Sequence, residues 1–268
     1  MFKQRLLTTL ILVPLVLMAI YYANFWTLGG LVLLVTVLLG WEWLQLIPLR
    51  SAVVKGLFVL LLIGLIWPAY YWLSYWLIAS FVFWVFILLA VLTFPASQSV
   101  WGHRFVVALA SLLLLPLLPV TITGLYHQAQ GKNLIVYLLC LIWATDIGAY
   151  LAGKQWGRLK LIPAVSPGKT VEGFIGGLCL AVLVAILGYL YFKPSASIVW
   201  FLMAISTAFI ATVGDLFISM LKRRVCVKDT GHLFPGHGGV LDRLDSLIAA
   251  LPLFYFLQTV YTATFVSG

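Results

Sequence analysis

Between positions 222 and 245 the chain reads KRRVCVKDTGHLFPGHGGVLDRLD, with cations first, then glycines, then carboxylates. That mixture suits phosphate chemistry. Carboxylate oxygens hold a hard divalent metal, and Lys and Arg neutralise the phosphate charge that remains. Lys222, Arg223 and Lys228 supply positive charge, followed by Asp229. Gly238 and Gly239 let backbone amides approach an anion closely. His237, beside them, has two readings: a donor to a phosphate, or a hydrogen bond that stabilises the loop. Asp242 and Asp245 stand three residues apart, which turns both to one side of a helix as it begins, with Arg243 between them. His232 and His237 do not make a zinc pattern, and Cys140, Cys179 and Cys226 are too scattered for a zinc site or a disulfide framework.

Upstream of this loop, Asp215, Ser219, Lys222 and Arg223 fall at i, i+4, i+7 and i+8, so carboxylate, hydroxyl and cations line one helix face like a pocket wall. A second basic loop, GKQWGRLKLIPAVSPGKTVEG from Gly153 to Gly173, invites comparison with a Walker loop. The match fails, because Pro163 occupies the position five before Gly168 and no strand is expected before it. What remains is Ser166 to Thr170 with Lys169 inside it, then Glu172 and Gly173, a phosphate turn at a helix N-terminus.

The elements that carry these loops follow from composition. Of 268 residues, 64% are hydrophobic and 9% charged, against about 25% charged in a soluble domain. So few charges cannot cover a water-soluble globule, which makes this an integral membrane protein and excludes disorder and a disulfide scaffold. Nine apolar runs have helix-spanning length: Leu6 to Tyr22, Trp26 to Ile47, Val53 to Tyr71, Trp76 to Phe94, Phe105 to Thr123, Leu134 to Leu151, Phe174 to Tyr191, Ile198 to Met220 and Leu247 to Phe265. They lack the alternation of a transmembrane barrel, so the expected fold is an all-α polytopic bundle of about nine transmembrane helices. The first run, behind Lys3 and Arg5, reads as a retained helix rather than a cleaved leader. Residues 1–268 read as one membrane domain, with spans in 1–133 and both spans and motif-bearing loops in 134–268.

With the N-terminus cytoplasmic and the C-terminus outside, 14 of the 16 Lys and Arg residues lie on the cytoplasmic side, leaving Lys132 and Lys193 outside. Topology thus accounts for the net charge of +9 without nucleic acid as a partner. Six of the seven carboxylates fall between 146 and 245. Carboxylates within spans are costly, about 2.5 to 3.5 kcal/mol at mid-helix, and mark function. Asp146 and Asp215 each lie about 8 Å inside the cytoplasmic end of their helix at 1.5 Å per residue, a matching depth at which they could share one site. Glu42 is the carboxylate elsewhere, and nothing around it in sequence assigns it a role.

These motifs resemble the phosphatidate cytidylyltransferases, also called CDP-diglyceride synthases. The signature is met by Ser219, Lys222, Arg223, Lys228, Asp229, Pro235, His237, Gly238, Gly239, Asp242, Arg243 and Asp245, with similar segments at Asp146 to Tyr150, Ser166 to Thr170, Glu172 to Gly173 and Gly214 to Leu216. The resemblance covers about residues 140 to 250 and implies that CTP and phosphatidic acid become CDP-diacylglycerol and pyrophosphate, at the bacterial inner membrane. It implies Mg²⁺, with a second metal ion left open. Asp215 and Asp242 are the implied metal ligands, with Asp146 and Asp245 as further candidates. Lys169, Lys222, Arg223, Lys228 and Arg243 are the implied phosphate contacts, and Ser166, Thr170, Glu172, Ser219, Gly238 and Gly239 the other substrate contacts. The chain departs from many relatives at Ile218, where they carry an acidic residue, and at Ile147, where they carry a hydroxyl.

A CTP-dependent kinase of polyprenol or diacylglycerol shares the bundle and the metal chemistry but moves the γ-phosphoryl group. The PGHGG-to-DRLD run favours the cytidylyltransferase. An ion-coupled transporter using Asp146 and Asp215, and a noncatalytic scaffold, are the rivals of other classes. The first five spans have room for either a homodimer contact or lateral access for lipid, and helix faces alone do not choose.

Overall fold

The computed structural model describes residues 2–49, 51–231, 233 and 238–265. His237, with Pro235, His232 and Arg50, lies outside the described residues. The chain order is α1 (Phe2–Tyr22), α2 (Phe25–Trp43), α3 (Ala52–Gly64), α4 (Ile66–Tyr71), α5 (Leu73–Leu92), α6 (Gln98–Trp101), α7 (Arg104–Leu114), α8 (Leu117–Tyr126) and α9 (Gly131–Trp156). It continues with β1 (Lys160–Ile162), β2 (Ser166–Thr170), α10 (Val171–Phe192), α11 (Ser197–Arg224) and α12 (Leu241–Phe265).

Among the described residues eight helical stretches are long and apolar enough to cross a membrane, and α1 occupies the first of the nine apolar runs. The fold is thus an all-α polytopic bundle, with one small hairpin added. Two spans are broken where proline falls. Pro68 has no N–H for Gly64, four residues back, and the span Ala52–Tyr71 divides into α3 and α4 just there. Pro116 and Pro119 likewise separate α7 from α8 within Arg104–Tyr126. The bundle is apolar outside as well as inside: Leu57, Leu60 and Leu61 of α3 are all more than half exposed, as lipid-facing side chains are.

Close helix contacts depend on missing side chains. Where α9 meets α10, a Cβ on Gly148 would sit 2.5 Å from the Gly176 carbonyl oxygen, and one on Gly177 would sit 2.7 Å from that of Thr145. Small residues let backbones approach within a membrane, where apolar packing between helices must outcompete equally apolar lipid. Between α11 and α12 the same device recurs at Gly214, whose added Cβ would lie 2.6 Å from the Asp245 carbonyl oxygen and 2.8 Å from Ala249 Cβ. Both contacts lie one or two residues from a carboxylate of interest, Asp146 in the first case and Asp215 in the second. Gly214→Ala is therefore expected to force α11 and α12 apart at a cost of about 1 to 3 kcal/mol. Thermal unfolding in detergent should show a lowered midpoint, and an unchanged midpoint would contradict the close packing.

The loop between α9 and α10 differs from its sequence reading. Instead of a plain turn, β1 and β2 form an antiparallel hairpin with Lys160 opposite Thr170 and Ile162 opposite Ser166, so a short strand does precede Gly168. Thr170 then caps α10, its hydroxyl accepting the Gly173 amide at 3.1 Å. Glu172 ties the hairpin back: its two oxygens accept the Leu159 amide at 3.1 and 3.2 Å. These contacts fix where Lys169 can reach.

Candidate active site

The C-terminal halves of α9 and α11 and the N-terminal ends of α10 and α12 meet around a cavity of about 490 Å³, within the size range of small-molecule sites. Asp146 and Tyr150 reach it from α9, Lys169 and Thr170 from β2, Phe174 from α10, and Thr212, Asp215 and Lys222 from α11. Asp229 lines it from the loop, and Asp242, Arg243, Asp245 and Ser246 line it from the first turns of α12. Helix α12 starts at Leu241, six residues before the apolar run, so both Asp242 and Asp245 are helical. An acidic residue in the first turn also suits the partial positive charge of a helix N-terminus.

Ion pairs from Lys169 and Lys222 cross the cavity. Lys169 Nζ binds Asp215 Oδ2, linking β2 to α11, while Ser219 Oγ donates to Asp215 Oδ1 at 3.3 Å. Lys222 Nζ binds Asp242 Oδ1 at 2.7 Å, linking α11 to α12. Asp242 Oδ2 accepts two further bonds, from the Thr230 amide at 2.8 Å and the Gly239 amide at 3.0 Å. Asp146, Asp215 and Asp245 lie close enough for their charges to interact, with Lys169 among them. Among the described residues five carboxylates and three cations line the space, a formal excess of carboxylates. A bare triphosphate would be repelled, whereas a divalent cation, alone or carried by phosphates, would be drawn in.

The donor set fits Mg²⁺ on those terms. Among the described residues no three His, Cys, Asp or Glu side chains form a ready-made metal centre. Mg²⁺ is normally held by one or two carboxylates plus waters and substrate phosphates rather than by an all-protein cage. The two leading carboxylates differ in access. Asp215 keeps 29% of its side chain exposed, and Asp242 only 4%.

Several residues expected at the site sit away from the cavity wall. Arg223 Nε donates to the Val165 carbonyl oxygen at 3.0 Å, bracing the hairpin against α11. Lys228 is an exposed loop side chain, and Ser166, Glu172, Ser219, Gly238 and Gly239 do not line the cavity. Gly238 adopts a φ of 80°, a left-handed conformation suited to glycine. The paired glycines here serve the protein's own carboxylates: the Gly239 amide is donated to Asp242, and a Cβ on Gly238 would lie 2.8 Å from Asp242 Oδ2. Of the two departures, Ile147 is exposed on the bundle exterior, Ile218 is buried, and neither lines the cavity.

Sequence reasoning left Glu42 without a role, and the structure gives it one. At the end of α2 it is 6% exposed. Its Oε1 accepts the Val240 amide at 2.9 Å, and Oε2 accepts the Leu241 amide at 2.8 Å and the Thr230 hydroxyl at 3.3 Å. The available signal was a carboxylate at the end of a span together with Gly231, a glycine given no role in the sequence.

Membrane-spanning helices whose polar ends enclose lysines, an arginine and a surplus of carboxylates define an integral membrane protein built to handle phosphates. The chain belongs to the cytidylyltransferase family, whose sequence profile matches residues 3–261, and it is a nucleotidyltransferase. It is 34% identical to a phosphatidate cytidylyltransferase of Haemophilus influenzae, over 96% of this chain and 98% of the relative. To the protein of that name from Pseudomonas aeruginosa it is 36% identical, over 95% and 96%. A Staphylococcus aureus phosphatidate cytidylyltransferase is 45% identical over a shorter stretch, 48% of this chain and 50% of the relative.

Proposed function

We propose that this cavity transfers the cytidylyl group of CTP to phosphatidic acid, yielding CDP-diacylglycerol and pyrophosphate for phospholipid biosynthesis. The observation that carries the reading is the pairing of lysines and surplus carboxylates in one cavity of a cytidylyltransferase chain. An oxygen of the lipid phosphate attacks the α-phosphorus of CTP. The new P–O bond forms as the bond to the β-phosphate oxygen breaks, and pyrophosphate leaves with that electron pair. The attacking oxygen is already anionic, so no general base is needed, and positioning with charge neutralisation carries the rate.

In this reading Asp215, with Asp146 or Asp245 beside it, would hold Mg²⁺ together with waters and substrate phosphates, and the ion would screen the triphosphate and stabilise the charge that develops on the leaving group. Asp242, with its oxygens committed to Lys222, Thr230 and Gly239, fixes the start of α12. Lys169, Lys222 and Arg243 face the phosphates, and exchange of Lys169 between Asp215 and a phosphate oxygen couples nucleotide binding to metal binding. Arg223 and Lys228, outside the wall, serve the approach of anionic substrates. The basic ends of the helices face the cytoplasm, where CTP is found, with the N-terminus on that side of a bacterial inner membrane and residues 1–268 acting as one domain.

The test is the fate of labelled phosphates. Purified protein in mixed micelles receives phosphatidic acid, Mg²⁺ and CTP labelled at the α or the γ position. The α label should enter the lipid while the γ label leaves in pyrophosphate. A γ label in a diacylglycerol or polyprenol acceptor would mean a kinase instead. Lys132→Ala provides a control for the one-sided site. Lys132 lies at the opposite end of α9 from the cavity, donating to the Tyr21 carbonyl oxygen at 2.7 Å. Its loss should leave kcat within about twofold, since such exposed contacts contribute roughly 0 to 1 kcal/mol. A severe activity loss in a folded Lys132→Ala protein would count against a site confined to one end.

A further inference from the structure

Glu42 stands nearly two hundred residues from its partners, yet it holds the segment from which the cavity's α12 carboxylates emerge. Thr230 shows how. Its amide is donated to Asp242 and its hydroxyl to Glu42, so one residue joins the carboxylates of α2 and α12. Gly239 repeats the pattern, with its amide on Asp242 and its Cα against Glu42, where an added Cβ would lie 2.6 Å from Glu42 Cδ. Gly231 is equally close, its added Cβ falling 2.7 Å from the same carbon. The Val240 and Leu241 amides, at the very start of α12, end on the two Glu42 oxygens. A carboxylate is well matched to that place, because the first amides of a helix lack intrahelical acceptors and carry partial positive charge.

The end of α2 that presents Glu42 is itself anchored. Trp43 is fully buried and donates from Nε1 to the Val107 carbonyl oxygen at 3.0 Å, and its ring packs on Phe217 of α11 with centroids 6.1 Å apart. Glu42 is thus fixed relative to α11 on one side and grips α12 on the other. The distance from Asp215 on α11 to Asp245 on α12 is set in part through this clamp.

We propose that Glu42 is a positioning residue for the nucleotidyl-transfer site: it acts through the Val240 and Leu241 amides and Thr230 to hold Asp242 and Asp245 in register with Asp215. The inference rests on the functional reading above, in which Asp245 stands at the metal and Asp242 fixes the start of α12 beside it. It also gives the second span a part in catalysis without contact to substrate.

Glu42→Gln keeps the shape but replaces one acceptor oxygen with an NH₂ group, which cannot accept from Val240 or Leu241. Wild type and variant are compared in the cytidylyl-transfer assay across a Mg²⁺ titration, with helical content and elution volume confirming the fold. The expected result is a kcat lowered about 10- to 100-fold with the Mg²⁺ curve displaced to higher concentration, as for residues that orient metal ligands from outside. A merely structural role would lower yield or melting temperature and leave the folded protein's kcat and Mg²⁺ curve at the wild-type values, and that result overturns the proposal. Should Glu42→Gln not fold, Gly231→Ala supplies the second probe, because its methyl pushes on the same carboxylate from outside the cavity. Gly231→Ala should lower kcat and shift the Mg²⁺ curve, and the shorter Glu42→Asp in the same chain should restore part of both. Failure of Glu42→Asp to relieve Gly231→Ala overturns the proposal as well. An inactive wild type would strike instead at the functional reading.

Discussion

Asp215→Asn is expected to lower kcat by two to three orders of magnitude while leaving the protein folded. Two effects compete in this substitution, and their sizes decide the outcome. The Lys169–Asp215 pair has more than a quarter of each side chain exposed, so its loss costs at most about 1 kcal/mol of stability. Catalysis loses more. Asp215 lies with Asp146 and Asp245 where, on the proposed reading, a divalent cation would balance the carboxylates, and removing one such preorganised group commonly costs about 10²- to 10³-fold. Steady-state rates over a Mg²⁺ series, with circular dichroism as a check on folding, measure both. Near-normal Mg²⁺-dependent turnover in Asp215→Asn would remove Asp215 from the metal site.

Asp242→Asn should be as damaging to activity and also destabilising. Asp242 is 4% exposed and Lys222 15%, and one carboxylate satisfies that ammonium and two backbone amides together. Asparagine has a single acceptor oxygen and cannot serve both sides. Breaking a buried pair from one side typically costs about 3 to 5 kcal/mol, because the other charge is left without compensation. The expected signature is a lowered melting temperature together with lost turnover, in contrast to Asp215→Asn. A stable but inactive Asp242→Asn would place Asp242 among the metal ligands; a stable, active one would deny it either role.

Much of this arrangement was legible in the sequence, for identifiable reasons. Hydropathy marks apolar runs directly, so each of the nine runs falls on helix, two of them broken at prolines and the other differences lying at the ends. The last helix begins early because hydropathy scores Asp242, Arg243 and Asp245 as outside an apolar run, although the backbone is already helical there. Helical rise placed Asp146 and Asp215 at matching depth, and they line one cavity. The hairpin at 160–170 was illegible: its strands are three and five residues long, and no periodicity can show in so few positions. The paired glycines suggested an anion without saying whose, and the anions they meet are the carboxylates of Asp242 and Glu42. Glu42 itself was beyond local patterns, since its meaning depends on folding α2 against a loop at the other end of the chain.

On the proposed reading, a cavity with more carboxylates than cations would accept a nucleoside triphosphate only together with a divalent metal. The measurement that tests it most directly is equilibrium binding of CTP to purified protein, with Mg²⁺ and with a chelator, in the wild type and in Asp215→Asn. Binding to the wild type should weaken at least about tenfold in the chelator, the equivalent of 1.4 kcal/mol, and Asp215→Asn should lose most of the Mg²⁺ enhancement while binding metal-free CTP no worse than the wild type. Tight CTP binding that ignores the chelator, equal in both proteins, would contradict the account and move the nucleotide away from these carboxylates.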